Sequence, residues 1–507
     1  MSAPPVSALQ RSLILAGGGM RVAYQAGVLK ALAEAGITFD HVDGASGGTI
    51  NLAMILSGLS PDEMIARWES LDVHRFVSMM PFAKYTSSKG LEALGDARDI
   101  VNYVFPHLGI DIEKIRNCTQ PIGTFNVCNF TRKTGDVIPN ARITMDHLVA
   151  GISLPIFMPA VPIDGELYLD AAWIRDANLM EAVRRGANEL WLVWCIGNTP
   201  TYHDGVFRQY VHMIEMAANG SLFKEFEQIN DINARIANGE VVDGHTTPIR
   251  LHVIRPEFAL PLDPDFYLGK IDAATLVGRG YADATKYLTT RTAEGIPLLP
   301  EATTMAMETP GFTFREKMAG GFALGETDPQ AGEQLGHAAG NTFTMHATID
   351  IQDLERFLDE AAHPGSITGR IDFAPLGLNL PSTSGVFNLF SPTGNPKMKY
   401  MVYELGFNAN GQSYYMAGKK EVQQAPMMDM WKATTTLYTQ LYQGTDKSGP
   451  VVGAGVLTLG VTDLLAMIPT MHATNATSPE QSAATATRFG RFFLGEMWDT
   501  YVKKAGA

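Results

Sequence analysis

The chain has 507 residues, 46 % of them apolar and only 18 % charged; that suits two or three cores and argues against disorder. A net charge of −14 without any run of basic residues excludes nucleic acid as the expected partner. Cys118, Cys128 and Cys195 show no CxxC spacing, which argues against a disulfide framework or a cysteine-built zinc site and suits buried thiols in a reducing, cytoplasmic setting.

The first residues, MSAPPVSALQR, lack the basic stretch and long apolar run of a secretory signal. Residues 12–16 (SLILA) predict a short buried strand, followed by Gly17-Gly18-Gly19 and a helix from about Val22 to Ala35. Residues 39–42 predict a second strand, again followed by glycines and a helix from Thr49 to Leu56. Strand, glycine turn, helix, twice within sixty residues, predicts an α/β layered domain with a mostly parallel sheet. Mainly helical sequence follows to about 116, then strands at 122–130 and after the KTGD turn at 133–136, and a helix at 144–151. Pro155, Pro159 and Pro162 predict an extended loop, and Asp164-Gly165 a turn between two short strands. A helix near 178, a central strand at 189–196, a helical stretch at 203–240, a strand at 248–256 and a kinked or paired helix at 272–288 complete this region.

Prolines at 297, 300 and 310 mark a linker, placed at 296–311 between a catalytic domain over 1–295 and a mostly β domain over 312–507. In the second domain, alternating segments at 342–351, 367–373, 398–407, 413–422 and 452–461 predict strands in a sandwich or open barrel. Short helices are expected at 354–360 and around 489–501, and 431–438 is compatible with a helix packed on the sheet. No apolar run reaches the roughly eighteen residues of a membrane span; Val451–Met467 is broken by Thr458, Thr462 and Asp463 and reads as a strand then a helix. Peripheral contact with a lipid surface and homo-oligomerisation stay compatible with the sequence.

Gly44-Ala45-Ser46-Gly47-Gly48 satisfies GxSxG between a strand and a helix, the setting of a nucleophile elbow. Small neighbours at Gly44, Gly47 and Gly48 let strand and helix pass closely, and the helix start lies next to Ser46, where developing negative charge is stabilised. The pattern alone equally describes a glycine-rich strand-to-helix loop. The contiguous glycines at 17–19 match neither the dinucleotide fingerprint nor a P-loop. They suit an oxyanion hole, because consecutive glycines present N–H groups with no Cβ in the way. Arg21 would brace that loop through its carbonyls or face the substrate. A serine needs a base, yet the twelve histidines offer no evident candidate: His41 and His252 lie in strand patterns that suit packing.

Four features in order resemble the patatin-like phospholipase family: Gly17-Gly18-Gly19-Met20-Arg21, the GxSxG at 44–48, the loop Leu154-Pro155-Ile156-Phe157, and Leu169-Asp170. The resemblance covers roughly residues 10–290, with 254–256 and 280–281 similar to its closing segments. It implies a serine–aspartate dyad, Ser46 with Asp170, and an oxyanion loop at Gly17, Gly18, Gly19 and Met20. The family's aspartate normally opens an Asp-Gly-Gly or Asp-Gly-Ala turn; here Ala171 and Ala172 follow, so the turn is expected to differ in backbone detail. Asp164 is the rival aspartate, in a setting that suits the turn before the catalytic one. The implied activity is lipid acyl-ester hydrolysis through an acyl-enzyme, with no metal and no cofactor. The alternatives are an inactive lipid-binding or scaffold protein, and an acyltransferase. Met54, Leu59, Met79, Met80, Phe82, Ile156, Phe157 and Met158 supply apolar side chains for an acyl-binding cleft. Residues 314–320, 399–403 and 431–438 are similar to a β-rich accessory domain of large bacterial sterol-oxidase-like flavoproteins; with no dinucleotide fingerprint, no FAD is inferred.

Overall fold

Apolar runs too short for helices alternate with helical segments through the first three hundred residues, and burial shows why. Along strand β1 (Arg11–Leu15), Leu13 and Leu15 enter one core while Ile14 enters another; along β7 (Glu189–Val193), Trp191 and Val193 take the first side, Leu190 and Leu192 the second. A strand covered on both faces reads as a continuous apolar run, as β7 does. The computed structural model describes residues 11–76, 78–79, 93–202, 205–260, 272–306, 309–395, 398–423, 434–476 and 479–501.

The chain divides into two units, residues 1–307 and 308–507. In the first, β2 is His41–Ala45, β3 Ile122–Asn129, β4 Thr134–Pro139, β5 Val161–Ile163, β6 Glu166–Asp170 and β8 Arg250–Ile254. The sheet runs β8-β7-β1-β2-β3-β6-β5, with β4 also pairing β3. The five strands from β8 to β3 are parallel, and the pairings of β4, β5 and β6 are antiparallel. Strand β1 leads directly to its neighbour β2, while β7 and β8 are added later on its other side. The strand order therefore reverses between β1 and β7, and the carboxyl end of β1 opens at that crevice with the end of β2 beside it, the usual neighbourhood for a site in such sheets.

Helices α1 (Ala23–Glu34), α2 (Gly48–Leu56), α3 (Pro61–Glu69) and α7 (Ala273–Thr290) cover one face; α5 (Leu179–Arg184) and α6 (Val206–Ala237) cover the other, and α4 (Met145–Gly151) packs beside β3, β5 and β6. Residues 272–288 are not a pair of helices: α7 is one helix, and its Gly280 lies against α1, where a Cβ would stand 2.0 Å from the carbonyl of Tyr24. The glycine permits this close helix packing. The segment read as a linker belongs largely to this unit. Ile296 bridges to Leu251, and Met305 N–H donates to Asn198 O at 2.9 Å. Prolines there shape a packed strap.

The second unit differs from the expected sandwich or open barrel, because its sheet closes. Strands β9 (Gly311–Leu324), β10 (Thr342–Ile351), β11 (Pro364–Phe373), β12 (Gly377–Pro392), β13 (Met398–Ala409), β14 (Gln412–Gln423), β15 (Thr436–Gln443) and β16 (Val451–Thr458) pair in chain order, antiparallel throughout. The long β9 also pairs with β16 through Ala319–Leu324, and the short β17 (His472–Thr474) adds beside its start. Thr436–Gln443 is a strand, correcting the helix entertained there; residues 431–433 lie outside the described residues. Phenylalanines fill the inside, among them Phe322, Phe343 and Phe373, as expected for a barrel of eight strands. Helix α8 (Pro329–Ala339) lies on β9 and β16, α9 (Val461–Met467) follows β16, and α10 (Pro479–Tyr501) stacks Phe489 on Phe312. Among the described residues no helix is long and apolar enough to cross a membrane.

Candidate active site

The turn after β2 places Ser46 in a left-handed backbone conformation, φ 48°, which costs a non-glycine residue about 1–3 kcal/mol and is typical of functional turns. Tertiary contacts hold it there. Helix α2 starts so close to β1 that a Cβ on Gly48 would stand 2.1 Å from the carbonyl of Leu15. Behind the turn, buried Asp43 accepts from Thr124 and from Asn126 Nδ2 at 2.6 Å, and Asn178 Nδ2 donates to Asn126 Oδ1 at 2.8 Å. This chain of bonds joins the strand carrying Ser46 to the segment that follows Asp170. Burial pushes the Asp43 carboxyl up to about 7.

The Ser46 hydroxyl donates to Asp170 Oδ2 at 2.8 Å, and the two side chains belong to residues only 4 % and 1 % exposed. Asp170 ends β6, held by its N–H to Ser153 O at 3.1 Å. Its other oxygen, Oδ1, accepts from Ala172 N–H at 2.8 Å, capping a short 3₁₀ turn over Ala171–Trp173. Neither alanine has positive φ, so glycine is not required at either position. Burial is the main cause that pushes Asp170 up to about 7, opposed by the bonds from Ala172 and Ser46. Asp164 is instead exposed at the tip of the β5–β6 hairpin, with φ 50° beside Gly165 at 83°.

The glycine turn after β1 faces the same volume. A Cβ on Gly17 would stand 2.5 Å from Ser46 Cβ and 2.4 Å from Asp176 Oδ1. Gly17 N–H is already engaged, donating to Asp176 Oδ2 at 2.8 Å. Gly19–Val22 form a 3₁₀ turn leading into α1, and the first N–H groups of such a turn have no partner within it. Three side chains fix the turn: Arg21 Nε donates to Gly18 O at 2.9 Å, Gln25 Nε2 to Ala16 O at 2.6 Å, and Asn51 Nδ2 to Val22 O at 2.8 Å. Arg21 is buried in this bracing position.

Near Asp170 lies an aromatic group. Tyr210 donates to Pro155 O at 2.8 Å, with Phe157 and Trp173 edge-on to its ring at 5.5 Å and 5.7 Å. Burial and then the charge on Asp170 hold the Tyr210 proton firmly. Ile156, at φ 76°, is 58 % exposed, so the proline loop includes a left-handed turn instead of running extended throughout. Met54 and Met158 belong to the main core, with Leu59 packed against it. Met80 and Phe82 lie outside the described residues, and of Met79 only the backbone is described.

His41 and His252 stand apart from the chemistry. The His41 ring bonds Ser12 Oγ and Thr124 Oγ1, and burial lowers it to about 3. His252 stacks on Trp191 and bonds the Tyr287 hydroxyl. Cys118, Cys128 and Cys195 are free thiols. Among the described residues no cluster suits a metal ion. Sequence reasoning missed Asp176, Tyr210 and Trp173. Only Asp176 carried a local clue, as a second aspartate six residues after the first.

Residues 13–183 match the family model described as patatin-like phospholipase. A curated relative, lysophospholipase nte1 of Aspergillus oryzae, is 26 % identical over 311 residues, 57 % of this chain; the match spans 19 % of that relative's length. Among solved structures, VipD from Legionella pneumophila aligns over 57 % of this chain and 68 % of its own, with a TM-score of 0.31 and 13 % identity.

Proposed function

The chain carries a patatin-like phospholipase domain over residues 13–183, and on that premise we propose that it hydrolyses acyl esters of lipids, with Ser46 as nucleophile and Asp170 as base. The observation that carries this reading is the 2.8 Å bond from the Ser46 hydroxyl to Asp170 beside the glycine turn. Ser46 Oγ attacks the ester carbonyl while its proton passes to Asp170 Oδ2. The oxygen that gains charge is held by N–H groups of the glycine turn, those of Gly18, Gly19 and Met20, and by the start of α2. The tetrahedral intermediate collapses, the C–O bond to the alcohol breaks, and the alcohol leaves with the proton from Asp170. Water then attacks the acyl-serine, giving its proton to Asp170 and later to Ser46.

A carboxyl group at about 7 is a better base than an ordinary aspartate and is half ionised at neutral pH. Phe157, Trp173 and Tyr210 offer an apolar wall on which an acyl chain can lie. The test is fluorophosphonate labelling with nitrophenyl esters of graded chain length, intact phospholipids and glycerides. Wild type is expected to be labelled at Ser46 and to turn over, and Ser46→Ala and Asp170→Asn to do neither while staying folded. A folded wild type that is neither labelled nor active on any ester points to a binding protein, and full activity in Asp170→Asn removes the assigned base.

A further inference from the structure

Asp176 is a carboxyl group that the chemistry above does not use, and it sits against the reacting serine. The residue is wholly enclosed. Oδ2 accepts the Gly17 N–H, while Oδ1 is buried with no hydrogen-bond partner. The absent Gly17 side chain leaves just enough room for it between that backbone and Ser46 Cβ. The titratable groups facing it are Asp170 from the end of β6, Arg21 from the glycine turn and Cys195 beyond β7. Arg21 acts on it through its charge alone: its Nε bonds Gly18 O, and Asp176 Oδ1 has no hydrogen-bond partner.

A carboxylate offers about four acceptor sites, and burying one with a single donor is costly. Two negative charges beside one serine add repulsion. Burial first, and then the charge on Asp170, hold the Asp176 proton well above the ordinary carboxylate range, against the Gly17 bond and Arg21.

We propose that Asp176 is a positioning residue for the acyl transfer, acting as a neutral acid that clamps the Gly17 N–H and so turns the following N–H groups toward the acyl oxygen. This rests on the hydrolase reading above. Gly17 is then the fixed end of the oxyanion loop and not one of its donors. Ionisation of Asp176 places a second charge beside Asp170 and the developing oxyanion, so the rate falls on the alkaline side as that proton leaves.

The experiment compares full-length wild type, Asp176→Asn, Asp176→Ala and Ser46→Ala in nitrophenyl-ester kinetics and fluorophosphonate labelling from pH 5 to 10, with thermal melts to verify folding. Asp176→Ala is expected to lose roughly a hundredfold in kcat with little change in KM, the scale of a misplaced oxyanion donor. Asp176→Asn keeps an acceptor for Gly17 and carries no charge, so it recovers most of that loss and lacks the alkaline fall of wild type. If Asp176→Ala does not fold, the Asp176→Asn profile decides alone. Wild-type kcat in a folded Asp176→Ala, an alkaline limb retained in Asp176→Asn, or none in wild type overturns the proposal. A folded wild type that is not labelled and does not turn over overturns the hydrolase reading itself, and this proposal with it.

Discussion

Arg21 reaches the carbonyl oxygen of Gly18 from a buried position, Nε to O at 2.9 Å, and so ties the glycine turn to its own following helical turn. Arg21→Ala leaves that carbonyl without its donor and loosens the glycine turn proposed to hold the oxyanion. Ester turnover should fall roughly tenfold to a hundredfold, and the melt should report a loss of about 1–3 kcal/mol. Arg21→Lys lacks the planar fork and should recover only part of the rate. Unchanged kcat in Arg21→Ala would mean the turn is held without it.

In the proposed mechanism Asp170, held at about 7 by burial, must be ionised to accept the serine proton. kcat/KM should therefore rise with pH through about 7 and not through the ordinary carboxylate range near 4. The same shift acts on stability in the opposite sense. A carboxyl whose folded pKa lies above its unfolded value favours folding at low pH, and that advantage is lost as pH rises from about 4 to about 7. Asp170→Asn carries no such dependence. Its melting temperature should gain on wild type across that window and hold a constant lead above it, which denaturation at pH 4, 6 and 8 measures.

Ala171 and Ala172 follow Asp170 without using positive φ, and Ala172 N–H bonds Asp170 Oδ1 through its backbone alone. Ala171→Gly should leave turnover within about twofold and cost about 0.4–1 kcal/mol through the freer unfolded chain. A gain in rate would show that the turn is strained by its alanine.

In the barrel, Lys420 Nζ lies 2.7 Å from Glu316 Oε1 and 3.3 Å from the Tyr403 hydroxyl, and both charged side chains are 3 % exposed. Lys420→Met leaves the buried Glu316 without its counter-ion, at an expected cost of about 3–5 kcal/mol. Adding Glu316→Leu should restore most of it, because the pair's attraction mainly offsets its own desolvation. A double-mutant cycle in urea measures the difference.

The elbow was legible because its demands are local: a serine on a tight turn needs glycines at 44, 47 and 48, and these stand in the sequence. Asp170 was reached only through resemblance, since its bond to Ser46 spans 124 positions and leaves no periodic trace. Asp176 was missed for the same reason. The parallel sheet announced itself through runs such as ELWLVW, whereas the closed barrel did not. Strand β12 carries Pro381 and a serine-rich stretch, and its register shifts near Ser382 and Asn388 break the alternation that marks a strand. Strand β9 carries Gly320 and Gly321 in its middle; a Cβ on Gly321 would stand 2.3 Å from the carbonyl of Glu333 on α8, so contact with that helix was invisible in the local pattern.

Helices α1 and α7 touch backbone to backbone: besides Gly280 on Tyr24, a Cβ on Gly27 would stand 1.9 Å from the carbonyl of Val277. Helix α1 begins directly after the glycine turn, and β1, which feeds that turn, is paired along its whole length with β7. Both buttresses come from chain beyond residue 183, where the matched stretch stops. The border of kinship is thus no border of folding. A fragment severed there would bare one side of β1 and the flank of α1, both of which are covered within the unit that runs to residue 307.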